Sequence, residues 1–107
     1  MNRGSLVHRL NELIEANLTN EEFGVEELAS GMGYSRSHLH RKLQKETGKS
    51  ISQYIREYRL ERARQLMMNE DLNVSEAAYL VGFGSASYFS KSFTSYFGHA
   101  PSEMHSQ

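Results

Sequence analysis

Leu6, Leu10, Leu13 and Ile14, with Leu18 beyond, fall three and four residues apart, the spacing that stacks side chains on one face of an α-helix. Residues 5–18 are therefore predicted as an amphipathic helix with its glutamates toward water. A polar connector follows over 19–24. Val25, Leu28, Ala29 and Met32 then mark a short helix that stops at Gly31, Met32 and Gly33. Ser35 is placed to cap the next helix, in which Leu39 and Leu43 point inward and which ends at Gly48. The pattern reads as helix, tight turn, helix.

Ser50 and Gln53 have the spacing of a capping box and open a stretch to about residue 68 that contains neither Gly nor Pro, which predicts one long helix. Ile51, Tyr54, Ile55 and Tyr58 mark an apolar face near its start, and Leu60, Ala63, Leu66 and Met67 a rotated face near its end, so two neighbours are expected. Asn73 and Glu76 repeat the cap pattern before a short helix carrying Val74, Ala77, Ala78 and Val81, which Gly82 ends. Ser85 caps a last helix whose inward residues are Phe89, Phe93 and Phe97; it stops at Gly98, with Pro101 beyond. The phenylalanine stripe is read as core.

The second half echoes the first. Val25, Glu27, Ala29 and Gly33 match Val74, Glu76, Ala78 and Gly82 at a constant offset of 49, and Tyr34 matches Phe83. After one inserted residue near Gly84, Leu39, Leu43 and Gly48 match Phe89, Phe93 and Gly98 at an offset of 50. The expected fold is all-α, with about seven helices. A first helix-turn-helix spans about 25–48 and a linker helix about 50–68. A second helix-turn-helix, at about 74–98, repeats the arrangement by which such units read DNA.

Charge sharpens this reading. The 107 residues sum to −1, which alone argues against a nucleic-acid partner. Residues 1–30 set Arg3 and Arg9 against six glutamates, net −4. Residues 35–64 set Arg36, Arg41, Lys42, Lys45, Lys49, Arg56, Arg59, Arg62 and Arg64 against three, net +6, and the remainder is −3. Such a polar distribution can orient a protein on an anionic duplex without a basic total.

The motifs Gly-Phe at 82–83, Ser-Tyr-Phe at 87–89, Phe-Gly at 97–98 and Pro-Ser at 101–102 together resemble the C-terminal signature of the AraC family. In the first unit the resemblance continues through Glu-Leu-Ala at 27–29, Ser-Arg-Ser-His-Leu at 35–39 and Gly-Lys-Ser at 48–50, so that it runs from about 6 to 104. Met-Gly-Tyr-Ser-Arg-Ser at 32–37, Tyr-Ile-Arg at 54–56 and Arg-Leu-Glu-Arg-Ala at 59–63 look most like the output domain of hybrid two-component sensor-regulators. The resemblance implies a transcription regulator, or its DNA-binding portion; the absence of an apolar span or secretory start leads to the expectation that it stays in the cytoplasm. The resemblance also implies RNA polymerase and an attached sensor or receiver domain as further partners. Thr94 and Ser95 stand where many members carry basic residues, and Met104-His105 replaces the usual aromatic-basic ending, which weakens the case for backbone grip by the second unit. Residues 1–5 are read as a tag or linker remnant.

A major groove about 12 Å wide admits one helix, and outward residues near that helix's N-terminus reach the base edges. With Leu39 and Leu43 buried, Arg36, Ser37, His40, Arg41 and Gln44 project outward as the leading base readers. An arginine can pair with guanine O6 and N7, and a glutamine with adenine N6 and N7. In the second unit Ala86, Ser87, Ser90 and Lys91 are outward, a poorer vocabulary expected mainly to anchor position. Ser35, Ser50 and Ser85, at helix starts, are candidates for phosphate contact as well as caps. A linker of about 18 residues rises about 27 Å, enough to hold two reading helices for successive grooves about 34 Å apart.

No membrane span is expected, because no apolar run approaches the roughly 18 residues one needs. Without cysteine there is neither a disulfide nor a thiolate metal site. No catalytic residue, metal or cofactor is assigned: His38 and His40 stand roughly 200° apart on a helix and cannot readily clasp one ion. The alternative function is a protein-interaction module that keeps the helix-turn-helix fold with weak DNA affinity.

Overall fold

The computed structural model describes residues 3–106, with side chains over 6–104; Met1 and Asn2, the start of the segment read as a remnant, lie outside the described residues, as does the His105 side chain. Six α-helices follow in order: α1 Arg3–Ala16, α2 Val25–Met32, α3 Arg36–Thr47, α4 Ile51–Asn69, α5 Val74–Leu80 and α6 Ala86–Phe97, with a closing 3-10 turn over Pro101–Ser106. No strand occurs among the described residues, as the hydrophobic spacing predicts. The chain divides into two compact units, one of Met1–Asn17 and Glu22–Tyr58, the other of Leu18–Glu21 and Arg59–Gln107.

In the first unit Leu6, Leu10 and Ile14 of α1 pack with Leu28, Ala29, Met32, Leu39, Leu43, Ile51 and Ile55. Two sequence expectations fail here. Helix α1 ends at Ala16, where the Asn17 side-chain amide donates to the Leu13 carbonyl at 2.8 Å; Leu18, the fifth member of its apolar row, is buried in the second unit instead. Phe23, read as part of a polar connector, is buried in the first core. Spacing alone cannot tell a helix's own row from a nearby apolar residue claimed by another core.

Helix α1 is also tied to α4 by polar bonds one turn apart. The Tyr54 hydroxyl donates to Asn11 and the Tyr58 hydroxyl to Glu15, each at 2.6 Å. At the start of α4 the Ser50 hydroxyl accepts from the Gln53 amide at 3.2 Å, but the Gln53 side chain donates to Glu57 at 2.9 Å, so only one arm of the expected capping box forms. Lys49 meets the same Glu57 carboxylate at 2.7 Å.

One winding row links the two apolar faces of α4, with buried Leu60 beside it. Ile51, Ile55, Arg59, Ala63 and Met67 are all buried at intervals of four, and each such step turns about 40° around a helix of 3.6 residues per turn. The exception in that row organises the second unit. Arg59, only 5% exposed, donates through Nη1 to the carbonyls of Val81 at 3.1 Å and Gly82 at 2.6 Å, and through Nη2 to that of Asn20 at 3.0 Å. Burial lowers its pKa from the ordinary arginine value. Arg59 thus leaves the basic surface to which the sequence assigned it, because buried carbonyls need donors that nothing else in that row could supply.

The inter-helix turns repeat bond for bond. Gly33 and Gly82 take left-handed φ values of 80° and 81°. Gly33 donates to Ser30 and Tyr34 to Ala29, both at 3.0 Å; Gly82 donates to Tyr79 at 3.1 Å and Phe83 to Ala78 at 2.9 Å. This is the Schellman pattern that satisfies the last carbonyls of a helix.

The turns differ in the space around them. A Cβ on Gly33 would meet nothing, whereas one on Gly82 would collide with the Arg59 guanidinium and the Leu18 carbonyl. Gly33→Ala should cost about 1–2 kcal/mol of left-handed strain, and Gly82→Ala roughly 3 kcal/mol or more once overpacking is added. Urea unfolding of both checks this; equal losses would contradict it. A second expectation concerns pH. Burial works to raise the pKa of Glu57, but hydrogen bonds from Lys49 and Gln53 and the charges of Lys49 and Arg56 outweigh it, and the net shift is downward from 4.5. Its carboxylate therefore adds stability above the unfolded-state value that is lost as pH falls through the lower folded value. The stability gap between the parent and Glu57→Gln, measured by urea at stepped pH, should be full near pH 7 and close below about pH 4.5.

Candidate nucleic-acid interface

Helix α3 begins where the Ser35 hydroxyl accepts from the His38 amide at 3.1 Å and ends at left-handed Gly48. Leu39 and Leu43 are completely buried, which turns Arg36, Ser37, His40, Arg41 and Gln44 to the exposed side, as the sequence predicts. Four of these, Arg36, Ser37, His40 and Arg41, line one open groove of about 520 Å³ together with Ser50, Ile51 and Ser52 at the start of α4 and Val25 of α2. Gln44 is not among the lining residues; its side-chain amide donates to the Gly48 carbonyl at 3.3 Å.

The electrostatics of α3 are set by four cations, Arg36, Arg41, Lys42 and Lys45, against Glu46. Arg36 pairs through Nη1 with Glu26 of α2 at 3.1 Å. Lys42 lies over the Tyr34 ring, 5.6 Å from its centroid. Arg41, by contrast, makes no ion pair among the described residues and lines the groove.

Helix α6 is built the same way and armed differently. The Ser85 hydroxyl accepts from the Tyr88 amide at 3.1 Å, and Phe89 and Phe93 are completely buried. Ser87 and Lys91 are exposed, while Ala86 and Ser90 are half-buried. Lys91 is the single charge on the helix. Within the first unit Ser50 lines the α3 groove, whereas Ser35 and Gln44 do not.

Three relevant residues escaped the sequence reading. Ser52, the second residue of α4, lines the groove, and it follows Ser50 closely enough that the cap signal pointed near it. Glu26, in the sequence only one of the six glutamates counted over residues 1–30, pairs with Arg36 across ten residues of chain. Tyr88, 53% exposed on α6, occupies the repeat position of His38. Each braces the turn aromatic of its own unit: His38 against Tyr34 at 4.7 Å between centroids and Tyr88 against Phe83 at 5.6 Å. Aligning the aromatics as well as the aliphatics of the repeat would have shown it.

Among the described residues no group of three or more His, Cys, Asp or Glu is arranged to hold a metal ion, and no helix is long and apolar enough to cross a membrane. A capped helix standing exposed behind a tight turn, formed twice by equivalent residues, defines a protein with two helix-turn-helix units. The chain belongs to the AraC-type helix-turn-helix family, the family model described as a helix-turn-helix domain matching residues 28–107.

It is 37% identical over 98 residues, 92% of this chain, to histidine kinase P4 of Formosa agariphila, of which those residues are 7%. It spans under two fifths of the length of other curated relatives, which are named as regulators. The fold matches an AraC-type transcriptional regulator from Chromobacterium violaceum with TM-score 0.87 and 31% identity, over 99% of this chain and 96% of that one. It also matches the DNA-binding domain of AdpA, a global transcriptional factor solved in complex with a target DNA, with TM-score 0.83 and 25% identity, over 94% and 89%.

Proposed function

We propose that the chain binds double-stranded DNA sequence-specifically and serves as a transcription regulator or as the DNA-binding output portion of a longer one. The observation that carries this is the outward face of α3, where Arg36, Ser37, His40 and Arg41 share one open groove opposite the buried Leu39 and Leu43. A helix-turn-helix presents its second helix to the major groove, and these side chains offer the donors that guanine O6 and N7 accept. The Gln44 amide donates one N–H to the Gly48 carbonyl and keeps its second N–H and its oxygen for adenine N7 and N6.

The second unit supplies a second major-groove segment through Ala86, Ser87, Ser90 and Lys91, serving chiefly as anchorage because only Lys91 is charged. Ser35, Ser50 and Ser85 each use the hydroxyl oxygen as a cap acceptor. Their O–H hydrogens remain available to a phosphate acceptor, so capping and backbone contact are compatible.

The chain acts without chemistry of its own, a reading supported by the curated relatives named as regulators. A sensor or receiver domain attached in a longer chain supplies the signal. Contact with RNA polymerase and a cytoplasmic location complete the reading.

Binding to sites selected from a random DNA pool, titrated against salt, tests it. Retention should be specific and fall by a slope of several counterions. Salt-insensitive pairing with a protein and no duplex retention would favour an interaction module instead. On the selected site, Arg41→Ala should lose about 1–3 kcal/mol of discrimination at one base pair. Lys91→Ala should weaken all sites alike and lower the salt slope by about 1. Equal loss of discrimination in both variants would refute this division of labour.

A further inference from the structure

Arg36 is the first residue of α3, and one of its terminal nitrogens, Nη1, donates to Oε2 of Glu26 at 3.1 Å. Both side chains are about two-thirds exposed, 67% and 69%, so the pair lies where ion pairs add little to stability. Its geometry is more informative. A guanidinium carries five N–H donors in a rigid planar fork. Glu26 engages Nη1, which leaves Nη2 and Nε as the free edge of the fork, two parallel donors at the spacing that guanine N7 and O6 accept.

The two units provide an internal comparison. Cap serines, left-handed turn glycines and buried helix positions all recur between them, as Ser35 and Ser85, Gly33 and Gly82, and Leu39 and Phe89 show. The positions matching Glu26 and Arg36 are Ser75 and Ala86. Both members of the pair are absent together from the unit whose helix carries one cation, while the cap serines, turn glycines and buried helix positions are retained. The pair accompanies the cationic reading helix rather than the fold.

We infer that Glu26 is a positioning residue for base recognition, fixing the Arg36 guanidinium so that its free edge selects guanine. This rests on α3 entering the major groove as proposed above. Glu26 is then an anion held close to a polyanion. It lowers affinity for every site through charge repulsion and raises the penalty for a wrong base by denying Arg36 other rotamers.

Binding constants for the parent, Arg36→Ala, Glu26→Gln and the double variant, on the selected site and on every single-base substitution of it, provide the test. Arg36→Ala should cost on the order of tenfold or more in preference at one G·C pair. Glu26→Gln should bind the best site as tightly or several-fold more tightly, yet lose about three- to tenfold of preference at that same pair and nowhere else. The double variant should show no preference loss beyond that of Arg36→Ala.

Uniform tightening on all sites by Glu26→Gln, with the G·C preference intact, would overturn the proposal while leaving α3 as the reading helix. Full base preference in Arg36→Ala would overturn the assignment of Arg36 to a base, and with it the role of Glu26. No specific retention of the parent chain would instead overturn the DNA-binding reading itself. Urea unfolding of each variant near the parent midpoint, expected for exposed positions, separates these effects from loss of fold.

Discussion

Each unit depends on one backbone hydrogen bond that closes over a left-handed glycine. The Tyr34 amide reaches the Ala29 carbonyl at 3.0 Å, and the Phe83 amide reaches that of Ala78 at 2.9 Å. Only with this bond made does the chain leave the first helix at an angle that lets the second pack its Leu or Phe pair on the same core. The alanine matters as much as the glycine. A larger side chain at either buried alanine would hold the helices apart before the turn could close.

Built on the same turn, the units spend their surfaces differently. The second helix of the first unit offers an exposed cationic face, and that of the second offers small polar residues and one lysine. The second unit instead takes its cation inward. Arg59 supplies donors to carbonyls on both sides of the Gly82 turn's environment, from Asn20 and from Val81 and Gly82, and gives up its solvation to do so. A fixed turn is what such a unit needs if it places a helix on a duplex without reading many bases, since phosphate and small-residue contacts tolerate little displacement.

Much of this was legible in the residue pattern because its causes are local. Ser35, Ser50, Asn73 and Ser85 each cap the helix they were expected to cap, since a short polar side chain meets an orphan amide two or three residues on whatever the surroundings. The glycines at 33, 48, 82 and 98 all carry positive φ for an equally local reason. The outward set on α3 follows from the burial of Leu39 and Leu43. Leu18, Phe23 and the side chain of Gln53 were misplaced or mispaired because their partners lie elsewhere in the chain or compete with the local motif.

The residue order by itself determined the helices, the caps and glycine turns between them, the doubling of the unit and the exposed face of α3, since caps, turns and periodicity act over four residues or fewer. Tertiary structure alone decided the fate of the charges: that Arg59 is buried among carbonyls, that Arg36 meets Glu26, and that Lys49 meets Glu57. An arginine looks the same in sequence whether it faces solvent, a carboxylate or a turn. Its environment is fixed only when segments separated in the chain come together around it.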